Sequence, residues 1–172
     1  DDISHKERLK KQYNFMEEHK NIDILGTWVL EFDDDYEDEE GFIKKLPIKE
    51  EEIKKFFHYR DPFAHPSVMF RRKLFAEIGL YNTDFITDQD TELWGRVLKK
   101  NIGVANLPEP LLYFRKGDII NKRSNYKAVL RQAKIRLSYK TFSPKLNLMK
   151  IGSIIFRLLP YKIREWGYKN LR

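Results

Sequence analysis

The groups best suited to chemistry in this chain are carboxylates, and they occur in two places. Asp88, Asp90 and Glu92 fall within five residues of the stretch Thr87-Asp88-Gln89-Asp90-Thr91-Glu92-Leu93-Trp94-Gly95-Arg96-Val97-Leu98, and Asp1-Asp2 opens the chain. A histidine, His65, stands apart in the proline-bracketed segment Arg60-Asp61-Pro62-Phe63-Ala64-His65-Pro66-Ser67. At helical spacing Asp90, Leu93, Trp94, Val97 and Leu98 form one stripe, the kind that faces a core. Burying an unpaired ionised carboxylate costs several kcal/mol or more, so Asp90 on that stripe must cap the helix, bind a cation or substrate, or act as a base. The capping reading sets Thr87 as N-cap with Asp90 at the third helical position. Adjacent aspartates at a strand-to-helix junction are hard oxygen ligands suited to Mg²⁺ or Mn²⁺ shared with a diphosphate; the plainer reading is an acidic lead into a helix N-terminus. His65 fits a structural hydrogen bond as well as a substrate contact. There is no P-loop, GxGxxG, HExxH or GxSxG pattern, so nucleotide binding through a glycine-rich loop is not encoded here.

The elements that must hold these groups follow from periodicity and punctuation. Ser4-His5-Lys6-Glu7 reads as a capping box opening a helix to Glu18, with Leu9, Tyr13 and Met16 facing inward beside Gln12 and Phe15. Asn21 to Phe32, rich in β-branched and aromatic residues, reads as the best strand. Asp33 to Glu40 is too acidic to pack and lacks the glycine and ligand spacing of an EF-hand, which predicts a solvated turn. Phe42 to Ile48 reads as an edge strand, Glu50 to Phe57 as an amphipathic helix with Ile53, Phe56 and Phe57 inward, and Val68 to Phe70 as a strand. Arg72 to Ile78 predicts a helix stopped by Gly79. The helix carrying Asp90 runs from Asp88 to Lys100, and Val104 to Asn106 and Leu111 to Phe114 read as two strands split by Pro108 and Pro110.

Beyond Arg115 the composition changes. Residues 121–172 hold 14 Lys/Arg against the single acid Glu165, a net +13, so the first 120 residues carry −6 of the overall +7. The basicity belongs to that segment, and affinity for polyanions maps there. Asn121 to Tyr139 predicts a basic helix with a narrow stripe of Tyr126, Val129, Leu130, Ala133 and Leu137. Leu146 to Arg172 has the composition either of a helix lying on an anionic bilayer through 145–172 or of a helical pair packed on its own domain with a solvated basic face. No apolar run approaches the roughly 20 residues of a membrane span. The absence of cysteine excludes disulfides and thiolate metal sites. No nucleic-acid motif accompanies the basic segment, which argues against nucleic-acid binding.

Taken in order, Asp1-Asp2-Ile3-Ser4, Glu7-Arg8-Leu9-Lys10-Lys11-Gln12, Ile22-Asp23-Ile24-Leu25-Gly26-Thr27, His65-Pro66-Ser67-Val68-Met69-Phe70-Arg71, Ile78-Gly79-Leu80-Tyr81 and Asp90-Thr91-Glu92-Leu93-Trp94-Gly95-Arg96 resemble family 2 glycosyltransferases of the GT-A fold. The resemblance implies an α/β fold with a mixed sheet flanked by helices, and an inverting transfer of sugar from a nucleotide-sugar donor to a saccharide or lipid-linked acceptor. It implies that Asp1 and Asp2 match the end of an Asp-x-Asp motif holding a divalent ion, Mg²⁺ or Mn²⁺, on the donor diphosphate. The chain would then begin inside that motif, as the acceptor-side portion (1–120) of the domain, lacking the nucleotide-binding half and followed by a basic helical tail (121–172).

By register on Leu93-Trp94, the family's acidic pair falls on Gln89-Asp90, and Asp90 matches the general base. Gln89 departs from the usual glutamate; Asp88 could supply the charge from one residue earlier, with Glu92 as support. Arg115 follows a Leu-Leu-Tyr-Phe segment where relatives carry an Arg and then a His, but the second position here is Gly117. The implied setting is surface polysaccharide or lipid-linked oligosaccharide synthesis on the cytoplasmic face, peripheral to the membrane. The alternative is a non-catalytic module that binds acceptor, membrane or a partner chain.

Overall fold

In a computed structural model, residues 2–32, 41–85, 87–100, 102–115 and 126–170 are described. The acidic run 33–40, Asp1 and Gly117 lie outside them. The chain divides into two units, one made of Asp1–Lys54, Pro62–Leu80 and Lys100–Gly117, the other of Lys55–Asp61, Tyr81–Lys99 and Asp118–Arg172.

The first unit is organised on β2 (Ile22–Phe32), eleven residues in which Ile24, Leu25 and Val29 are almost wholly buried. Each such side chain stabilises the fold by about 1.5–3 kcal/mol relative to exposure. Burial on both faces, rather than alternation, marks a strand covered on both sides. β2 pairs in parallel with β5 (Gly103–Arg115) and antiparallel with β3 (Phe42–Lys44) and β4 (Met69–Phe70). β1 (Ile3–Ser4) adds antiparallel to the far side of β5, giving the mixed order β1-β5-β2-β3. Helix α1 (Arg8–Glu18) seats Met16 in a cluster with Ile22, Leu25, Ala105, Leu107 and Leu111. A short helix α3 (Leu74–Ile78) buries Leu74 and Ile78 and ends at Gly79, whose φ of 76° is a left-handed value that glycine takes without strain. The unit is thus α/β, a mixed sheet flanked by helices.

Two expectations are corrected here. The capping box is absent: Ser4 is drawn into β1 opposite Leu112, helix α1 starts at Arg8, and the Ser4 Oγ accepts from Arg8 Nε at 2.7 Å. The inward face of α1 is also rotated, because Leu9 and Tyr13 are exposed and Gln12 is fully buried. Gln12 Nε2 donates to the Leu25 carbonyl at 2.8 Å and the Ser67 carbonyl at 2.9 Å, and these two bonds make burial of the amide tolerable. The two strands expected at 104–106 and 111–114 are one. Thr27 pairs with Leu107 and Trp28 with Pro110, so Pro108 and Glu109 are extra residues in a bulge, the place where prolines without an N–H can remain inside a ladder.

The second unit is helical. Helix α2 (Glu50–Phe57) ends in it with the fully buried Phe57. Helix α4 (Gln89–Leu98) buries Thr91, Leu93, Trp94, Gly95, Val97 and Leu98. It packs on α5 (Tyr126–Ser138), and a Cβ on Gly95 would stand 3.4 Å from Ile135 Cγ2, so the missing side chain lets the two helices approach. The stripe expected on α5 is out of phase with the observed one. Tyr126, Leu130 and Leu137 are exposed, while Ala128, Val129, Gln132, Ile135 and Arg136 are buried, the two polar members because they have hydrogen-bond partners inside the unit. Helices α6 (Pro144–Leu158) and α7 (Tyr161–Asn170) complete it; Ser143 caps α6 by accepting from the Leu146 amide at 3.3 Å.

Candidate active site

Asp88 and Asp90 border one hollow of about 220 Å³, whose other walls are Asp61, Thr87, Thr91, Ala128, Gln132 and Arg157. The helix start that presents them is unusual. Asp88 is the N-cap of α4 with φ 64° and ψ 17°, the one non-glycine residue with positive φ among those described. That conformation costs of order 1 kcal/mol, least for Asp and Asn. Its backbone carbonyl accepts from the Glu92 amide at 3.0 Å, and its side chain makes no capping bond. The expected cap, Thr87 with Asp90 reaching back, is therefore not formed. Asp90 is half-buried and its Oδ1 accepts from the Thr91 amide next to it at 2.9 Å.

Asp88 is held from α5. Gln132 Nε2 donates to Asp88 Oδ1 at 2.6 Å and to Thr91 Oγ1 at 3.0 Å, and Arg131 Nε donates to Asp88 Oδ2 at 3.3 Å. Thr91 Oγ1 donates in turn to Asp61 Oδ1 at 3.1 Å, and the fully buried Arg136 reaches the same oxygen at 3.0 Å. Charge-assisted bonds in such a relay fix rotamers as well as charge. The carboxylate of Asp88 is thus engaged from α5, and Asp90 stands in the first turn of α4 on the wall of the same hollow. Tyr81 senses it: burial raises the Tyr81 hydroxyl above its ordinary pKa, and the charge on Asp90 raises it further.

The remaining expected site residues are placed as follows. Gln89 is exposed at the start of α4. Glu92 is half-buried and takes Arg96 Nε on both carboxylate oxygens, at 2.9 and 3.0 Å, an i to i+4 ion pair along the helix. His65 begins a 3₁₀ turn (His65–Ser67) in the sheet unit and is half-buried. In the same unit the Arg115 amide donates to Asp2 Oδ1 at 3.1 Å, and the Arg115 guanidinium lies 4.7 Å over the Phe32 ring. Among the described residues no group of three or more His, Asp or Glu is arranged to hold a metal ion.

Asp61, Gln132 and Arg136 were not expected in the site. Asp61 lies in an irregular segment just before Pro62, and the other two read as solvated positions on a basic helix. A faint signal existed: Gln132 and Arg136 are four residues apart, the spacing of one helix face.

No family model matches the chain, and no solved structure matches it. Several curated proteins do. It is 30% identical over 179 residues to the amylovoran biosynthesis glycosyltransferase AmsE of Erwinia amylovora, covering 100% of this chain and 65% of that protein. It is 29% identical over 180 residues to the UDP-Gal:alpha-D-GlcNAc-diphosphoundecaprenol beta-1,3-galactosyltransferase of Escherichia coli, covering 99% and 63%. The O-antigen biosynthesis glycosyltransferase WbnJ of Escherichia coli matches at 32% over 133 residues, 76% of this chain and 48% of that one. The chain spans just under two thirds of the first two relatives, 65% and 63% of their lengths. Its α/β architecture is compatible with theirs, and a similarity that reaches 30% identity over the whole chain supports a glycosyltransferase family for this protein.

Proposed function

We propose that this chain carries the acceptor side of a family 2, GT-A glycosyltransferase that moves a sugar, with inversion, from a nucleotide-sugar donor to an acceptor hydroxyl in surface polysaccharide or lipid-linked oligosaccharide synthesis. The observation that carries the reading is Asp90: a half-buried carboxylate lining a polar hollow, on a helix start that a relay through Asp88, Gln132, Thr91 and Asp61 holds in place. The similarity to named glycosyltransferases supplies the reaction class.

In this reading Asp90 takes the proton of the acceptor hydroxyl as the hydroxyl oxygen forms its bond to the anomeric carbon. The bond from that carbon to the diphosphate oxygen breaks on the opposite face, and its electron pair leaves with the nucleoside diphosphate. One base facing one leaving group produces inversion. Asp88 and Gln132 keep the first turn of α4 oriented, so that the carboxylate need not be reorganised during the reaction. His65 and Arg115 remain candidates for substrate contact, and Glu92, through its pair with Arg96, for support of the helix.

A divalent ion, Mg²⁺ or Mn²⁺, would be held by Asp1 and Asp2 and, when bound, offsets the charge of the departing diphosphate. Asp2 suits that role: it is exposed just before β1, and the Arg115 amide orients one of its carboxylate oxygens. Such ions take only one or two protein carboxylates, with phosphate and water completing the shell.

The test is Asp90→Asn in the complete natural polypeptide, assayed against a panel of nucleotide sugars with Mn²⁺. The turnover number is expected to fall by about 10²–10⁴-fold with donor binding unchanged. Turnover near that of the unsubstituted enzyme would remove Asp90 from the role of base.

A further inference from the structure

Helix α6 turns an apolar stripe to the outside. Leu148, Ile151, Ile155 and Leu158 are 72%, 50%, 53% and 57% exposed. At i, i+3, i+7 and i+10 they form one stripe along the helix. The one residue of α6 that is buried is Lys150, whose Nζ donates to the Tyr139 carbonyl at 2.6 Å. Arg157 faces the hollow beside Asp88 and Asp90, and Ser153 Oγ donates back to the Lys150 carbonyl at 2.8 Å. The following helix continues the pattern, with Tyr161, Ile163 and Trp166 exposed. Leu146, Met149, Ile154 and Phe156 are half-buried on the inner side, so the exposed stripe is apolar surface beyond what packing of the helix uses, and contiguous exposed apolar surface marks an interaction site.

We infer that this face of α6 and α7 seats the protein on an anionic lipid bilayer, lying in the headgroup and upper acyl region. Two observations select that occupant. Exposed cations flank the ridge, Lys140 and Lys145 before and at the start of α6 and Lys162 at the start of α7, in a segment whose single acid is Glu165. That charge attracts anionic headgroups and repels a second copy of the same surface. The ridge also has the interfacial composition of branched aliphatics with a tryptophan and a tyrosine. At 15 residues α6 is about 22 Å long, short of the roughly 30 Å hydrocarbon core. Among the described residues no helix is long and apolar enough to cross a membrane, so the contact is along the surface. The inference stands independently of the transfer reaction.

The experiment is flotation of the 172-residue chain with vesicles of phosphatidylglycerol and phosphatidylcholine, and with vesicles of phosphatidylcholine alone. Binding is expected to the anionic vesicles, reduced at least tenfold without the anionic lipid or at 0.5 M salt. Ile151→Ser with Ile155→Ser is expected to reduce it about tenfold or more, while circular dichroism and the melting temperature stay unchanged. Quenching of Trp166 by brominated lipid, with Trp166→Phe as background, locates the contact. No flotation with anionic vesicles, equal flotation of the double variant, or concentration-dependent self-association abolished by those substitutions without lipid binding would each overturn the inference.

Discussion

Helices α4 and α6 belong to the same unit and are anchored in opposite ways. In α4 the buried side is Leu93, Trp94, Val97 and Leu98, and the carboxylates gather at its first turn. In α6 the buried residue is a lysine and the outward ridge is leucine and isoleucine. The first helix is held by the hydrophobic effect and can therefore present polar groups at its end. The second combines half-buried Leu146, Met149, Ile154 and Phe156 with a polar tether, the Lys150 ammonium on the Tyr139 carbonyl, and leaves Leu148, Ile151, Ile155 and Leu158 exposed. Apolar periodicity says that a helix has a face; only the partners of its polar residues say which way that face points.

The contrast can be broken most severely at α4. Trp94→Ala, which opens a large void beneath the site helix, is expected to destabilise the protein by about 3–5 kcal/mol, read as a fall in the urea midpoint. A loss below about 1 kcal/mol would show that α4 is not held by its apolar face.

Acid should act on the seat of α6. His58 is buried, with its ring 4.7 Å from that of Tyr139 and its Nδ1 without a partner. Burial first, then the charges of Lys150 and Arg136, hold its pKa down from 6.5 to about 4. The unfolded chain binds a proton below 6.5 that the folded chain refuses until about 4. The associated stability is present above pH 6.5 and is lost as pH falls toward 4, a change of about 1–2 kcal/mol after allowance for screening. His58→Gln is expected to flatten the melting temperature across that window; an unchanged slope would place the titration elsewhere.

Lys150→Ala should cost only about 1 kcal/mol, because the lost bond to Tyr139 is partly offset by removing a like charge near Arg136. Differential calorimetry reads it, and a cost equal to that of Trp94→Ala would dissolve the contrast. Ile155→Ser, on the outward ridge, is expected to change stability in solution by less than about 0.5 kcal/mol. A larger loss would mean that the ridge packs inside the protein.

What could be read from sequence follows the same division. β2 was legible almost to the residue, since its β-branched and aromatic run is a local property. Helix α4 was legible because its apolar period is strong, and the ordered motifs pointed to glycosyltransferases, which the similarities support. The start of α1 was not legible, because Ser4 is claimed by a strand more than a hundred residues away. Nor was the phase of α5: Gln132 and Arg136 are buried only because Asp88, Thr91 and Asp61 receive them, and a polar residue on a basic helix gives no local hint of such partners. The left-handed backbone at Asp88 left no mark beyond the residue type, one of the few besides glycine that tolerates it.

The parallel pairing of β2 with β5 has a consequence for the order of events in folding. Ile24 lies against Val104, and Asp61, α4 and its carboxylates all fall in the chain between them. Closing a ladder across roughly 80 residues is slow, and parallel strands offer no hairpin to start from. The ten residues of α4 need only local contacts to become helical, an event of about a microsecond or less, so the segment that bears Asp90 is expected to sample its helix while the sheet is still open. A newly made chain would carry its site helix early and unsupported, with Trp94 exposed until the remaining helices arrive.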